Sequence, residues 1–237
     1  MDLSIVFGTY NRYSLLVDCV ESIRQSVGDL SYEIIVVDGG STDGSREYLA
    51  VQPDVVFLGE WHLEGAIKAF NKGFSLAKGW AVVNINDDII IIGDCLKWAY
   101  DYLRQHSEGV AQVAFVFDTA FNGQFRRGDM VHGCQAANFG MSQRILGEYV
   151  GWWGTTYHTY GGDTECSAKY WEIGWQVHSL EHCKVHHVEA QDALRRSNDA
   201  APRFWSIWTP ERVRQFPTVP KPRSEIEAEL AKRGKLW

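Results

Sequence analysis

The sequence predicts an α/β fold, a mostly parallel sheet flanked by helices, and three observations carry that expectation. Short apolar runs alternate with amphipathic helical patterns through the first hundred residues. Turn formers and acidic residues punctuate the ends of those runs. Composition is that of an ordinary globular protein: 237 residues, 45% hydrophobic, 22 glycines and six prolines, which excludes collagen-like and low-complexity classes.

The elements follow in order. Residues 3–7 form a strand that runs into Gly8-Thr9-Tyr10-Asn11-Arg12, after which Leu15, Leu16, Cys19, Val20 and Ile23 recur at helical spacing. Residues 33–37 read as a buried strand opening into the turn formers Asp38-Gly-Gly-Ser-Thr-Asp-Gly44. A short helix over 45–51, a strand over 54–58 and a helix over 64–78 come next, the last with Ala66, Ala69, Phe70, Phe74 and Ala77 on one side. Residues 80–85 form a fourth strand that delivers Asn86-Asp87-Asp88. Beyond residue 110 the pattern loosens. Strands are expected at 113–117 and 136–141, separated by a hairpin around Asn122-Gly123, and 151–160 is an aromatic, glycine-rich loop. A helix over 163–173 takes Asp163 as N-cap and Gly174 as its stop. After 176–178 and the stretch through His186-His187, an extended linker at 216–223 leads to a last helix. That helix starts at Ser224, with a capping box closing on Glu227, and ends before Gly234. Trp80, Trp98 and Trp171 fall within element patterns and are expected in the core.

Several function classes drop out. No apolar run reaches the roughly 18 residues of a membrane span, and the first residues lack the basic region of a signal peptide. The five cysteines are scattered without CxxC spacing, which fits free thiols in a reducing, cytoplasmic setting. No GxxxxGK[ST] is present, and no GxGxxG follows the first strand, so neither a P-loop nor a dinucleotide site is expected. The net charge of −7 is uneven: residues 1–194 carry −12 and residues 195–237 carry +5. A basic end of that kind suits a solvated face or a neighbouring phosphate, on a nucleotide or a nucleic acid.

In an open parallel sheet, ligands bind beyond the carboxyl ends of the strands. Thr9 to Arg12, Asp38 and Asp87-Asp88 all fall there. Adjacent acids leaving an apolar strand need a cationic or hydroxylated partner; a divalent metal riding on a diphosphate would be one. Turn formation and helix capping are the ordinary uses of such residues, and both readings stay open on spacing alone. Gly161-Gly162-Asp163-Thr164-Glu165 then sets another carboxylate at a helix start about 75 residues later.

Four motifs in order make the chain resemble the family 2 inverting glycosyltransferases of the GT-A fold. They are Ser4-Ile-Val-Phe-Gly-Thr-Tyr-Asn-Arg12, Glu33-Ile-Ile-Val-Val-Asp-Gly-Gly-Ser-Thr-Asp-Gly44, Asn71-Lys72-Gly73 with Ala77-Lys-Gly79, and Asn86-Asp87-Asp88. The match is close over residues 3–95 and looser over 136–175. The resemblance implies a single GT-A domain over residues 1–200, with a nucleotide-sugar-binding half at 1–95, an acceptor half at 96–200 and a C-terminal extension at 201–237. Thr9 and Tyr10 would line the base pocket, with Arg12 beside them, and Asp38 would accept a hydrogen bond from the base, which suits uracil or thymine. Asp87 would bind ribose hydroxyls and Asp88 would ligate Mn²⁺ or Mg²⁺ bridging the two phosphates. Asp163 would be the general base and Glu165 the reserve. A histidine, His187 ahead of His186, would complete the metal site, and Arg195 and Arg196 would neutralise the diphosphate. Two departures stand out: Asn86-Asp87-Asp88 replaces the usual Asp-X-Asp, and Gly162-Asp163 replaces Glu-Asp.

Trp152, Trp153, Tyr157, His158 and Tyr160 crowd the loop before Asp163, and flat aromatic faces pack against sugars or bases. The expected function is therefore metal-dependent, inverting transfer of a sugar from a nucleoside diphosphate donor, UDP-sugar first, to the hydroxyl of a glycan. Two alternatives remain: a DNA glycosyltransferase acting on hydroxymethylated bases, supported by the basic end, and a non-catalytic nucleotide-sugar or glycan-binding module, supported by the Gly162 departure.

Overall fold

The computed structural model describes residues 1–118, 130–131, 134–155, 161–188 and 200–235. The first half alternates strand and helix: β1 (Leu3–Thr9), α1 (Tyr13–Ser26), β2 (Tyr32–Asp38), α2 (Ser45–Ala50), β3 (Val55–Gly59), α3 (Ala66–Leu76) and β4 (Ala81–Asn84). The second half contains β5 (Ile89–Ile91), α4 (Cys95–Gln105), β6 (Val110–Phe117), β7 (Met130–Val131), β8 (Cys134–Gln135), β9 (Gly140–Gln143) and α5 (Arg144–Val150). It closes with α6 (Gly162–Glu172), β10 (Gln176–His187), α7 (Ala200–Ile207), α8 (Pro210–Val213) and α9 (Arg223–Lys232).

Eight strands form one sheet in the order β3-β2-β1-β4-β9-β6-β10-β5, and β7 pairs only with β8. The β1–β2, β2–β3, β1–β4 and β6–β10 pairs are parallel, whereas β9 enters antiparallel between β4 and β6 and β5 runs antiparallel on β10. Register brings Thr9 level with Asp38, so the ends of β1 and β2 open onto one edge of the sheet. Alternation along the strands divides the core. Ile5, Phe7, Ile34 and Val36 pack with Leu16, Cys19 and Leu96 on one face, while Val6 and Ile35 pack with Phe70, Phe74 and Trp171 on the other.

The quoted motifs do structural work at this level. Ser4 Oγ donates to Glu33 Oε1 at 2.7 Å and accepts the Gly79 N–H at 2.8 Å; the Lys78 N–H also donates to Glu33 at 2.9 Å. The turn before β4 is thereby tied to β1 and β2. A Cβ on Gly73 would stand 2.3 Å from Val6 Cγ1, so only glycine lets α3 lie this close on β1.

The structure corrects several element expectations. The second-half strand expected at 136–141 is β9, shifted to residues 140–143, and the hairpin around Asn122-Gly123 lies outside the described residues. Helix α6 begins at Gly162 with Gly161 in the left-handed N-cap position, φ 93°, so Asp163 sits in the first turn instead of capping it. Helix α9 starts at Arg223 after Pro222, and no side chain caps it; Ser224 therefore lies inside the helix, the Ser224–Glu227 box does not form, and Arg223 Nε donates to Glu227 Oε1 at 3.2 Å. Trp171 is buried and Trp80 half-buried, but Trp98 is 40% exposed. The extended stretch after 216 folds back on α6: the Lys221 N–H donates to Ile173 C=O, and Trp175 Nε1 donates to Lys221 C=O, both at 2.9 Å.

Candidate active site

The ends of β1 and β4 and the last residues of β10 converge on one buried polar cluster. Thr9 Oγ1 donates to Asp87 Oδ2 at 2.8 Å, and Arg12 Nη1 reaches Asp87 Oδ1 at 2.8 Å and Asp88 Oδ2 at 3.3 Å. Both aspartates are at least nine-tenths buried. Burial, with a smaller contribution from the neighbouring Asp88, pushes the Asp87 carboxyl up to about 6 against the opposing pull of the Arg12 charge. Parallel pairing explains the convergence, since β1 and β4 point their carboxyl ends the same way.

β10 supplies the remaining polar group. The Val188 N–H donates to Asp88 C=O at 2.9 Å, which draws the end of the strand onto the acidic loop. Successive residues of a strand face opposite ways, and the two histidines separate accordingly. His187 Nε2 stands 3.4 Å from Asp88 Oδ1, while His186 Nδ1 meets Asp118 at 3.0 Å. Asp88 Oδ1 is buried with no hydrogen-bond partner among the described residues. One buried carboxylate oxygen and one imidazole nitrogen are hard and borderline donors of the kind Mn²⁺ and Mg²⁺ accept, so the residues present fit a divalent cation with open positions left for phosphate oxygens and water. Among the described residues no group of three or more His, Cys, Asp or Glu side chains is placed to hold a metal, here or elsewhere, so Asp88 and His187 are a partial ligand set.

Asp38 is wholly buried at the end of β2. Its carboxylate accepts the N–H groups of Gly40 and Ser41 at 3.1 Å, and Arg46 Nε lies 3.5 Å away. The carboxylate therefore shapes its own turn. Tyr10 flanks this turn: its Cδ2 would lie 3.4 Å from a Cβ on Gly39.

Helix α6 presents two carboxylates of different character. Asp163 is half-buried, and its Oδ1 accepts the Thr164 N–H at 2.7 Å. Glu165 is buried; its Oε2 accepts the Gly154 N–H at 2.8 Å and lies 3.6 Å from Lys169 Nζ. The aromatic loop ahead of α6 is in part a core element. Trp153 is buried against Phe70 with ring centroids 4.2 Å apart, and Trp152 stacks on Phe74 at 4.5 Å. These two indoles are not open platforms for a sugar, because α3 already occupies their faces. Tyr157, His158, Tyr160, Arg195 and Arg196 lie outside the described residues.

Two groups escaped the sequence reading. Asp118 follows β6 at a strand carboxyl end, the rule that singled out Asp38 and Asp87, and could have been found by it. Lys72, inside the quoted Asn71-Lys72-Gly73, joins Glu60 at 2.6 Å to Glu64 at 2.7 Å and so fixes the loop after β3.

Comparison with known proteins places this geometry. The model of the glycosyl transferase family 2 matches residues 4–165. The chain is 32% identical over 112 residues to glycosyltransferase GlyG of Streptococcus pneumoniae, 46% of this chain and 37% of that protein. It is 28% identical over 116 residues to a poly(ribitol-phosphate) beta-glucosyltransferase of Bacillus spizizenii, 46% of this chain and 18% of that protein. It thus matches well under half the length of either relative. Among solved structures, mannosyltransferase PcManGT of Pyrobaculum calidifontis, in complex with GDP-Man and Mn²⁺, superposes with a TM-score of 0.67 at 19% identity, covering 99% of this chain and 76% of that one. TarS of S. aureus, in complex with UDP-GlcNAc, does so with a TM-score of 0.64 at 16% identity, covering 81% and 60%. The fold, an α/β sheet flanked by helices, is that of the GT-A glycosyltransferases. The chain belongs to glycosyl transferase family 2.

Proposed function

We propose that this chain transfers a sugar from a nucleoside diphosphate donor to an acceptor hydroxyl with inversion at the anomeric carbon. The observation that carries the reading is the orphaned, buried Oδ1 of Asp88 facing His187 at the carboxyl end of the sheet. Asp88 and His187 would hold the cation, Mn²⁺ or Mg²⁺. When bound, that cation offsets the negative charge growing on the leaving diphosphate. Thr9 and Arg12 orient Asp87, whose free lone pairs are directed to ribose hydroxyls. The Asp38 turn, with Tyr10, forms the base pocket. A UDP-sugar is the first donor to test, since TarS is seen with UDP-GlcNAc and a base-pocket carboxylate suits the uracil N3–H; the GDP-Man complex of PcManGT makes guanine the next.

Asp163 is assigned as general base. It is half-open where Glu165 is buried and already holds Gly154. Its carboxylate would take the acceptor's proton as the hydroxyl attacks. A glycan or polyol acceptor is favoured over DNA, because the net charge of −7 opposes binding to a phosphate backbone. The described residues contain no helix long and apolar enough to cross a membrane.

The test is Asp163→Asn, with Glu165→Gln beside it. Asp163→Asn should cut sugar transfer by ~10²–10⁴ while leaving UDP affinity in calorimetry unchanged. Glu165→Gln should lower thermal stability and spare most of the transfer rate. Full transfer by the Asn variant with a dead Gln variant would move the base to Glu165. Nucleotide binding with no turnover by the wild type, across glycan and hydroxymethyl-DNA acceptors, would leave only the binding module.

A further inference from the structure

Trp61 is 99% exposed, the most exposed large apolar side chain among the described residues, and Leu63 two positions on is 43% exposed. A lone exposed apolar residue is ordinary. These two ride on a loop that the fold holds firmly. The Glu60 N–H donates to Asp38 C=O at 2.7 Å, and the Glu60 carboxylate, nearly inaccessible, takes Lys72 Nζ at 2.6 Å. Lys72 also holds Glu64 Oε1 at 2.7 Å, and the Glu64 N–H donates back to Glu60 Oε2 at 3.3 Å.

The same loop leans on the turn after β2. A Cβ on Gly39 would meet Leu63 Cδ1 at 2.7 Å, and one on Gly40 would meet the Trp61 carbonyl at 3.3 Å. The glycine pair is what admits the loop. Tyr10 and Leu63 thus both border Gly39, and the exposed Trp61 lies on the same loop.

We propose that Trp61 is a nucleobase-binding residue whose indole covers the base of the bound donor, with Tyr10 and Leu63 beside it. The inference rests on the nucleotide-donor reading above and adds a residue to it. Sheet order argues for the base over the acceptor. From the acidic loop after β4, the strands run outward through β1 with Thr9 and β2 with Asp38 to β3, which Trp61 follows. Three strand spacings of about 4.8 Å, roughly 14 Å, separate the ends of that row, a reach suited to a nucleoside diphosphate lying across the strand ends. Every base has a π face, so a stacking indole holds uracil and guanine alike.

Isothermal titration of the full chain, with Mn²⁺ present, tests this using UDP, GDP and inorganic pyrophosphate against wild type, Trp61→Ala and Trp61→Phe. Trp61→Ala should weaken whichever nucleotide the wild type binds by on the order of tenfold to a hundredfold. Trp61→Phe should keep most of the affinity, and pyrophosphate should bind all three proteins equally. Undiminished nucleotide binding by Trp61→Ala overturns the proposal, as does an equal loss for pyrophosphate, or an effect confined to an acceptor KM. A wild type that binds neither nucleotide refutes the donor reading itself, and the role of Trp61 with it.

Discussion

Leaving a buried carboxylate oxygen without a hydrogen-bond donor costs about 1–3 kcal/mol, more when the group is charged. Asp88 Oδ1 bears that cost beside an imidazole 3.4 Å away, while its partner oxygen Oδ2 is met by Arg12. The proposed cation, held by both groups, would offset that cost. Asp88→Asn keeps the shape and removes the charge. It should weaken Mn²⁺ binding to the protein, read from the free-ion paramagnetic resonance signal, and cut transfer by ~10²–10³, the cost of one lost electrostatic partner. Unchanged Mn²⁺ affinity would end the metal assignment. At this scale the sequence was informative where a residue closes a strand. Thr9, Arg12, Asp87 and Asp88 lie together at the strand ends the sequence singled out, because parallel strands bring their carboxyl ends together whatever the loops do. Which histidine turns toward Asp88 depends on the strand register, which only the folded sheet displays.

At the scale of elements, α3 shows how closely packing is set by single residues. A Cβ at position 73 would collide with Val6, so Gly73→Ala must push the helix away from β1. Overpacking of this kind costs about 1–3 kcal/mol, and alanine's helix propensity returns up to about 1 kcal/mol of it. A net loss of stability is expected in urea unfolding. Gly109→Ala, where nothing lies within 4 Å of the new carbon, is the matched control and should be close to neutral. An equal response of the two variants would show that α3 does not seat on β1 as described. The same paired logic explains the element boundaries that sequence patterns missed. Local capping rules favoured Asp163 and Ser224, yet Gly161 accepts the positive φ that starts α6, and α9 begins at Arg223, one residue before Ser224. Helix α4 is legible in hindsight from Cys95, Leu96, Ala99, Tyr100 and Leu103 at three- and four-residue steps, all buried.

For the whole molecule, the part least legible in the sequence is strand order. β9 lies between β4 and β6 although some fifty residues separate it from β4 and the pairing is antiparallel, a choice no local pattern encodes. The two apolar faces were foreseeable from alternation; the C-terminal residues Ile226 and Leu230, buried in the same cluster as Trp171, were not, because their helix carries mostly charged side chains. One irregularity at this level has a consequence for how the chain tolerates change. β10 pairs with β6 in three registers, shifted between Gln176 and Val177 and again between Ser179 and Lys184, and only its last residues pair with β5. The intervening residues act as an expansion joint: length added there need not be transmitted to the catalytic end, which two neighbouring strands clamp. Inserting one glycine between Glu181 and His182 should therefore leave transfer activity nearly intact. The same insertion between Val185 and His186 has no slack to absorb it, would reverse which histidine faces Asp88, and should abolish metal-dependent transfer. Equal damage from both insertions, measured by nucleotide release, would mean that the strand responds as one rigid rod.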